Sequence, residues 1–151
     1  CGVIFNPIMN EMFLAEKGNG AFLNNQRIRV SNQKKINDAL LVTGGPKGAS
    51  KIKNKIYSEY INISNNVANV RKFGSAALDM AYVACGRFDG YWQRELNYWD
   101  VAAGIIIIKE SGGYVDFFEE DTNIPLKKNI LATNSNIHKE LRELINKKDI
   151  E

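Results

Sequence analysis

An apolar helical segment with a single carboxylate at its start constrains this chain more than any other feature. Residues 101–108 carry no charge, so the helix that they form has to be buried. Asp100 lies where this helix begins, a position that favours negative charge and commonly opens onto a pocket. Gly112 and Gly113 end the helix and lead into a predicted strand over 114–118. A helix N-cap without further function is the alternative interpretation of the carboxylate.

Strand signals come first along the chain, and strand and helix signals then alternate. Residues 2–31 are typical of an antiparallel meander, with Asn24 and Asn25 as a predicted tight turn. From residue 39 onward, strands with turn residues at their ends alternate with helical periodicity. We therefore predict an α/β fold in which an antiparallel hairpin unit, 1–38, precedes a helix-flanked mixed sheet, 39–151.

Composition argues against several classes of protein. Hydrophobic residues make up 44% of the chain and charged residues 25%, which is typical of a globular domain. The net charge of +3 is mild, and the lysines form no basic stripe with interleaved aromatics, so direct binding of nucleic acid is disfavoured. Cys1 and Cys85 have no partners at metal-ligand spacing, which favours a reducing compartment. We expect a cytoplasmic protein that does not bind or cross a membrane.

Several segments carry a resemblance to one known family. Residues 99–104, together with 110–113, resemble the second signature of the inositol monophosphatase family, W-D-x-A-A-G ending in E-A-G-G. Segments within 2–24 resemble its central hairpin, and 71–77 and 89–92 resemble its substrate-side segment. The likeness is strongest to the bacterial branch known from an extragenic suppressor phenotype. This resemblance implies a layered α+β sandwich of the sugar-phosphatase type.

Part of the family pattern has no counterpart in the chain. The first signature, D-P-[LI]-D-G-T, and the Glu pair that precedes it do not occur. Residues 6–8, Asn-Pro-Ile, are partly similar to the start of that signature, but no Asp-Gly-Thr follows them. The chain also begins with Cys1 instead of Met. We interpret it as the C-terminal part of a longer phosphatase, from a fragment or from a truncated gene.

The resemblance implies a Mg²⁺-dependent phosphatase that hydrolyses inositol monophosphate or a similar polyol or sugar phosphate monoester. It further implies water as the nucleophile, sensitivity to lithium and a homodimer. Because the family's other metal ligands belong to the absent signatures, we expect this piece alone to be inactive. The alternative hypothesis is a truncated, non-catalytic protein that keeps a surface for RNA or the transcription machinery, since the bacterial branch also has such a regulatory role.

Five residues are candidate site positions. The resemblance assigns Asp100 as a metal ligand near the substrate hydroxyls, and Mg²⁺ prefers carboxylate oxygen. Gly74, Ser75 and Ala76 start a helix whose free backbone N–H groups suit an oxygen-rich ligand. Spacing alone favours a routine capped helix, but the resemblance reverses this preference, because it implies that the backbone of Ala76 contacts the substrate. Gln93 stands where the family usually has a Glu that accepts hydrogen bonds from the polyol. Gln keeps an acceptor oxygen, adds a donor and removes the charge, which bears on the identity of the polyol.

The remaining polar residues have predicted structural roles. Glu95 would lie on the same sheet face as Gln93, because side chains two positions apart in a strand point the same way. A change of strand register that turns Glu95 inward is therefore conceivable. Glu110 is expected to bond the backbone near the Gly-Gly turn that follows it. Asp79 and Asp89 are expected to be structural. His138, the sole histidine, begins a predicted surface helix and is expected to have no catalytic role.

Overall fold

The computed structural model describes residues 1–46, 51–118 and 127–146, which form two sheets and four α-helices. The strands are β1 (Gly2–Asn6), β2 (Glu11–Glu16), β3 (Gly20–Leu23), β4 (Gln26–Arg27), β5 (Leu40–Thr43), β6 (Asn69–Arg71), β7 (Gly90–Asn97), β8 (Tyr114–Phe117) and β9 (Lys127–Thr133). The helices are α1 (Lys53–Ser64), α2 (Ala76–Ala84), α3 (Tyr98–Glu110) and α4 (His138–Asn146). Within the described ranges, every helix falls short of the length and apolar character that crossing a membrane requires.

The first sheet is an antiparallel meander in the order β1-β2-β3-β4. Its β3–β4 turn is made by Asn24 and Asn25, whose φ angles of 45° and 67° suit the tight turn predicted from the sequence. Alternation along β1 and β2 buries one face and exposes the other. The buried face carries Ile4, Phe13, Ala15 and Ala21, and the exposed face carries Val3, Phe5, Met12 and Leu14. Both faces of this sheet are therefore apolar.

The second sheet is mixed, in the order β6-β5-β7-β9-β8. Strand β5 runs parallel to both β6 and β7, whereas β9 runs antiparallel to β7 and β8. Helices α2 and α3 contribute to the core on one face, around Tyr91, and α1 and α4 to the core on the other, around Trp92. This arrangement confirms the predicted hairpin unit followed by a helix-flanked mixed sheet.

Helix α3 packs against α2 and against the first sheet, and small residues allow the close approach. A Cβ atom on Gly104 would lie 2.7 Å from the sulfur of Met80 in α2. A Cβ atom on Gly2 in β1 would lie 2.9 Å from the carbonyl oxygen of Ala103. Real Cβ atoms essentially never come so close, so these glycines fix how deeply α3 is set between its neighbours.

A buried ion pair joins β7 to α1. The Arg94 Nε–H donates to Glu59 Oε2 at 2.8 Å, and both side chains are less than 5% exposed. The Arg94 guanidinium also lies over the ring of Phe118, 4.7 Å from its centre. Because Arg94 precedes the bulge in β7, this pair holds the strand just where it leads toward α3.

Candidate functional site

The predicted site residues lie in or after strands of the second sheet that run in the same direction. Strands β5, β6 and β7 are parallel, so their carboxyl ends meet at the same edge. Gly44 follows β5, Ser75 follows β6 and caps α2, and Gln93 lies in β7 shortly before Asp100 in α3. In open α/β sheets ligands bind outside the carboxyl ends of the strands. Two helices also begin here, and helix N-termini favour anions.

At the start of α2, an exposed glycine precedes a capped helix N-terminus. Gly74 is exposed, with φ +85°, and no atom lies within 4 Å of the place that a Cβ would take. Ser75 caps the helix as predicted, and its hydroxyl accepts from the Leu78 N–H at 3.4 Å. The first N–H groups of any α-helix lack intrahelical partners. The Ser75 cap uses that of Leu78, whereas the N–H of Ala76, as the first of the helix, has no intrahelical partner.

Asp100 is the third residue of α3 and is half-buried. The N-cap is Asn97, so the alternative interpretation of Asp100 as the N-cap is wrong. Its carboxylate instead accepts from the backbone N–H of Asn97 at 3.1 Å, as in a capping box. This bond orients the carboxylate at the helix start, where the helix dipole stabilises negative charge.

Gln93 is buried, and two neighbours hold its amide. The Tyr91 hydroxyl donates to Gln93 Oε1 at 2.7 Å. On the other side, the amide lies against the backbone of Gly44, where any Cβ atom would overlap it. Burial, and then the carboxylates of Asp79 and Asp100, raise the pKa of Tyr91 above its ordinary value, so this hydroxyl stays a neutral donor.

Glu95 does not follow the alternation that the sequence suggests. The pairing of β7 with β9 shifts between Gln93 and Leu96, which marks a β-bulge, and Glu95 has φ +56°. Its backbone N–H donates to Asn129 Oδ1 at 3.1 Å. A register shift therefore does occur at Glu95, and it interrupts the two-residue alternation that relates Glu95 to Gln93.

Asp79 and Asp89 differ sharply in their environments. Asp89 accepts hydrogen bonds from the Leu40 N–H and the Ser31 hydroxyl, as a structural role predicts. Asp79 is fully buried in the first turns of α2, and neither of its carboxylate oxygens has a partner among the described residues. Burial raises the pKa of Asp79 to about 7. The sequence analysis did not predict that the Asp79 carboxylate is buried without a partner. The available signal was that Asp79 is a single charged residue in an apolar helical stretch.

Glu110 and His138 serve as structural contacts. Glu110 accepts from the backbone N–H groups of Gly18 and Gly20, each at 2.9 Å, and these bonds lower its pKa. The expectation that it bonds the turn immediately following it is wrong, because its partner is the β2–β3 turn. His138 begins α4, where its Nδ1 lies 2.7 Å from the Thr133 hydroxyl. It is half-buried instead of lying on the surface.

The described residues suit only part of a metal centre. The carboxylate of Asp100 is the hard oxygen ligand that Mg²⁺ prefers. However, the described ranges bring no group of three His, Cys, Asp or Glu side chains together for a metal ion. A Mg²⁺ centre that included Asp100 would therefore need further ligands from outside the described residues.

Comparison with known proteins decides the family. The family model described as "Inositol monophosphatase family" matches residues 1–149. The chain belongs to the inositol monophosphatase family. An inositol-1-monophosphatase of Caulobacter vibrioides is 44% identical over 144 residues, covering 94% of this chain and 56% of that protein. A "Nus factor SuhB" of Haemophilus influenzae is 38% identical, covering 97% of this chain and 54% of that protein.

Solved structures agree with this assignment and with the predicted fold. The extragenic suppressor protein suhB from Bartonella henselae is 43% identical, with a TM-score of 0.88, and covers 97% of this chain and 56% of that one. An inositol monophosphatase from Anabaena is 39% identical, with a TM-score of 0.85, and covers 95% and 57% respectively. The chain therefore spans about half the length of the family members that it matches. The N-terminal region of these relatives has no counterpart in it.

Proposed function

We propose that this chain is the C-terminal part of a Mg²⁺-dependent phosphatase that hydrolyses inositol monophosphate or a similar polyol or sugar phosphate monoester. The observation that carries the proposal is the parallel run of β5, β6 and β7: Gln93 lies in β7 against Gly44 at the end of β5, the start of α2 follows β6, and Asp100 follows β7. Family membership supports the same reaction, because the Caulobacter relative is named an inositol-1-monophosphatase. Lithium sensitivity, a homodimer and a cytoplasmic location belong to this proposal.

Each group at the edge has a distinct task in the proposed reaction. The backbone N–H groups at Gly74, Ser75 and Ala76 bind oxygens of the substrate. The amide of Gln93 hydrogen-bonds the polyol or sugar part. Asp100 holds one metal ion, which when bound polarises oxygen and lowers the pKa of its water. The capping bond from Asn97 keeps that carboxylate in one orientation.

The described residues alone do not complete the proposed metal centre. One carboxylate does not hold a catalytic Mg²⁺ centre, and the matched relatives have a further N-terminal region. We therefore expect that the remaining ligands come from a region equivalent to that one, and that residues 1–151 alone turn over no substrate.

The test compares two proteins with inositol 1-phosphate as substrate. One is the chain as given, and the other is the chain joined to the N-terminal region of the Caulobacter relative. We expect turnover on the order of 1 s⁻¹ or more for the joined protein with Mg²⁺, and background hydrolysis for the chain alone. Equal turnover by the chain alone would contradict the claim that its metal centre is incomplete. A folded joined protein without activity would contradict the phosphatase proposal.

A second candidate function rests on the relatives named Nus factor, which match nearly the whole chain. In this alternative the chain is non-catalytic and keeps a surface for the transcription machinery. The mild net charge of +3 does not suit strong direct binding of nucleic acid, so a protein partner is favoured. Retrieval of transcription proteins by an inactive joined protein would favour this alternative.

A further inference from the structure

The amide of Gln93 has an orientation imposed by this chain's own residues. Its oxygen accepts the Tyr91 hydroxyl at 2.7 Å, and its plane is pressed against the backbone of Gly44. Tyr91 is fully buried, so its hydroxyl has no solvent alternative to this bond. The Tyr91 hydroxyl and Gly44 thus hold the Gln93 side chain, which could otherwise adopt several rotamers, in one orientation; this pair of contacts is called the lock below.

The direction of this hydrogen bond decides which end of the amide is available. A glutamine amide has one acceptor oxygen and a donor NH₂ group. Oε1 already accepts from Tyr91 and keeps one further lone pair, whereas Nε2 has no protein acceptor within the described residues, so the NH₂ group is the end that holds no bond to the protein. Burial of Tyr91 keeps its hydroxyl protonated, which preserves this polarity.

We propose that Tyr91 is a positioning residue that, with Gly44, fixes the Gln93 amide so that its NH₂ group donates to an acceptor oxygen of the phosphorylated ligand. This inference rests on the proposed function for the identity of the ligand. A carboxylate at position 93 would only accept hydrogen bonds. The chain therefore favours polyol or sugar phosphates that present an ether, carbonyl or phosphate oxygen at this point over those that must donate a hydroxyl there.

The experiment follows the side-chain NH₂ signals of the ¹⁵N-labelled full chain by NMR, with myo-inositol 1-phosphate as the probe. The Gln93 signals are identified by their loss in Gln93→Glu. Two variants disturb the lock, Tyr91→Phe by removing the donor and Gly44→Ala by displacing the amide. Their matched controls are Tyr57→Phe, at an exposed tyrosine of α1, and Gly45→Ala, where a Cβ would meet no atom within 4 Å.

We expect the Gln93 NH₂ group to be as ordered as the backbone in the parent chain and in both controls. It should become mobile in Tyr91→Phe and in Gly44→Ala. The probe should shift the Gln93 Nε2 signal, and its Kd should rise about 3- to 10-fold in the two variants, as loss of one neutral hydrogen bond predicts. A Gln93 amide that is equally ordered with and without the Tyr91 hydroxyl would overturn the proposal.

Two further results separate this proposal from the proposed function. If the probe shifts the Gly74 and Ser75 signals but leaves Gln93 Nε2 unchanged, the donor role of Gln93 is wrong while the phosphate site is supported. If the probe shifts no signal even in the chain joined to the N-terminal region of the Caulobacter relative with Mg²⁺ present, although Tyr91→Phe still releases the amide, the positioning role of Tyr91 is supported and the phosphatase proposal is contradicted.

Discussion

Replacement of Asp79 by Asn should stabilise this protein at neutral and alkaline pH. Asp79 is fully buried in α2, and its carboxylate oxygens have no hydrogen-bond partner among the described residues. A buried carboxylate without partners favours its neutral form. Asparagine is nearly identical in size and uncharged, so it imitates the protonated acid at every pH.

The expected magnitude follows from the pKa of this group. Burial raises the pKa of Asp79 from 3.8 to about 7, and each pKa unit corresponds to about 1.4 kcal/mol. Between these two values the folded chain holds a proton that the unfolded chain has released, so stability falls as the pH rises. The loss begins near pH 4 and is complete above pH 7. The charged form then costs about 4 kcal/mol, which Asp79→Asn removes.

Urea unfolding at a series of pH values measures this difference. Near pH 4 the two proteins should have the same free energy of unfolding, and at pH 8 the Asn variant should be the more stable by several kcal/mol. The matched control is Asp89→Asn, because Asp89 accepts bonds from Ser31 and Leu40 and its neutralisation should destabilise the chain. A difference between Asp79 and its Asn variant that does not grow with pH would refute the reasoning.

Three further changes test the packing of the fold. Glu59→Gln removes a buried charge that pairs with the Arg94 guanidinium and should cost about 1.5–3 kcal/mol in thermal unfolding, whereas Glu140→Gln on an exposed part of α4 should cost little. Asn25→Val should cost about 1–2 kcal/mol more than Asn25→Gly, because position 25 has φ +67°; equal urea midpoints would contradict this. Lysine at positions 12 and 14, on the exposed apolar face of the first sheet, should reduce self-association in sedimentation experiments without loss of stability.

Features that depend on local patterns were predictable from the sequence. The uncharged stretch 101–108 forms a helix whose residues are buried or half-buried, because burial is the stable environment for such a segment. Asn24 and Asn25 form the predicted turn, since Asn tolerates a positive φ. Ser75 caps α2 by a hydrogen bond three residues along the chain. In each case the cause lies within a few residues of its effect.

Features that depend on distant residues were not predictable in the same way. Glu110 bonds the turn at Gly18 and Gly20, 92 and 90 residues earlier in the chain, because the packing of α3 brings the two together. The bulge at Glu95 arises in the pairing of β7 with β9, so the sequence of β7 alone does not give its position. The lock on Gln93 combines two strands, β7 and the end of β5, and no single segment reveals it.

The position of Asp100 shows both kinds of inference. Its place near the start of α3 followed from the sequence, but its role in the cap did not, because α3 begins earlier, at Tyr98. As the third helical residue, Asp100 accepts from the Asn97 N–H, which sets the orientation of its carboxylate. Whether that carboxylate also holds a metal ion is a separate question from capping, and one substitution separates the two.

That substitution is Asp100→Asn in the chain joined to the N-terminal region of the Caulobacter relative, with Mg²⁺-dependent hydrolysis of inositol 1-phosphate as the measurement. Asparagine can still accept the Asn97 N–H, so the free energy of unfolding should change by less than about 1 kcal/mol. Loss of a charged metal ligand should lower kcat about 100-fold or more and raise the Mg²⁺ concentration that activity requires. Unchanged kcat and Mg²⁺ dependence in a normally stable variant would contradict the central claim that Asp100 is a metal ligand of this site.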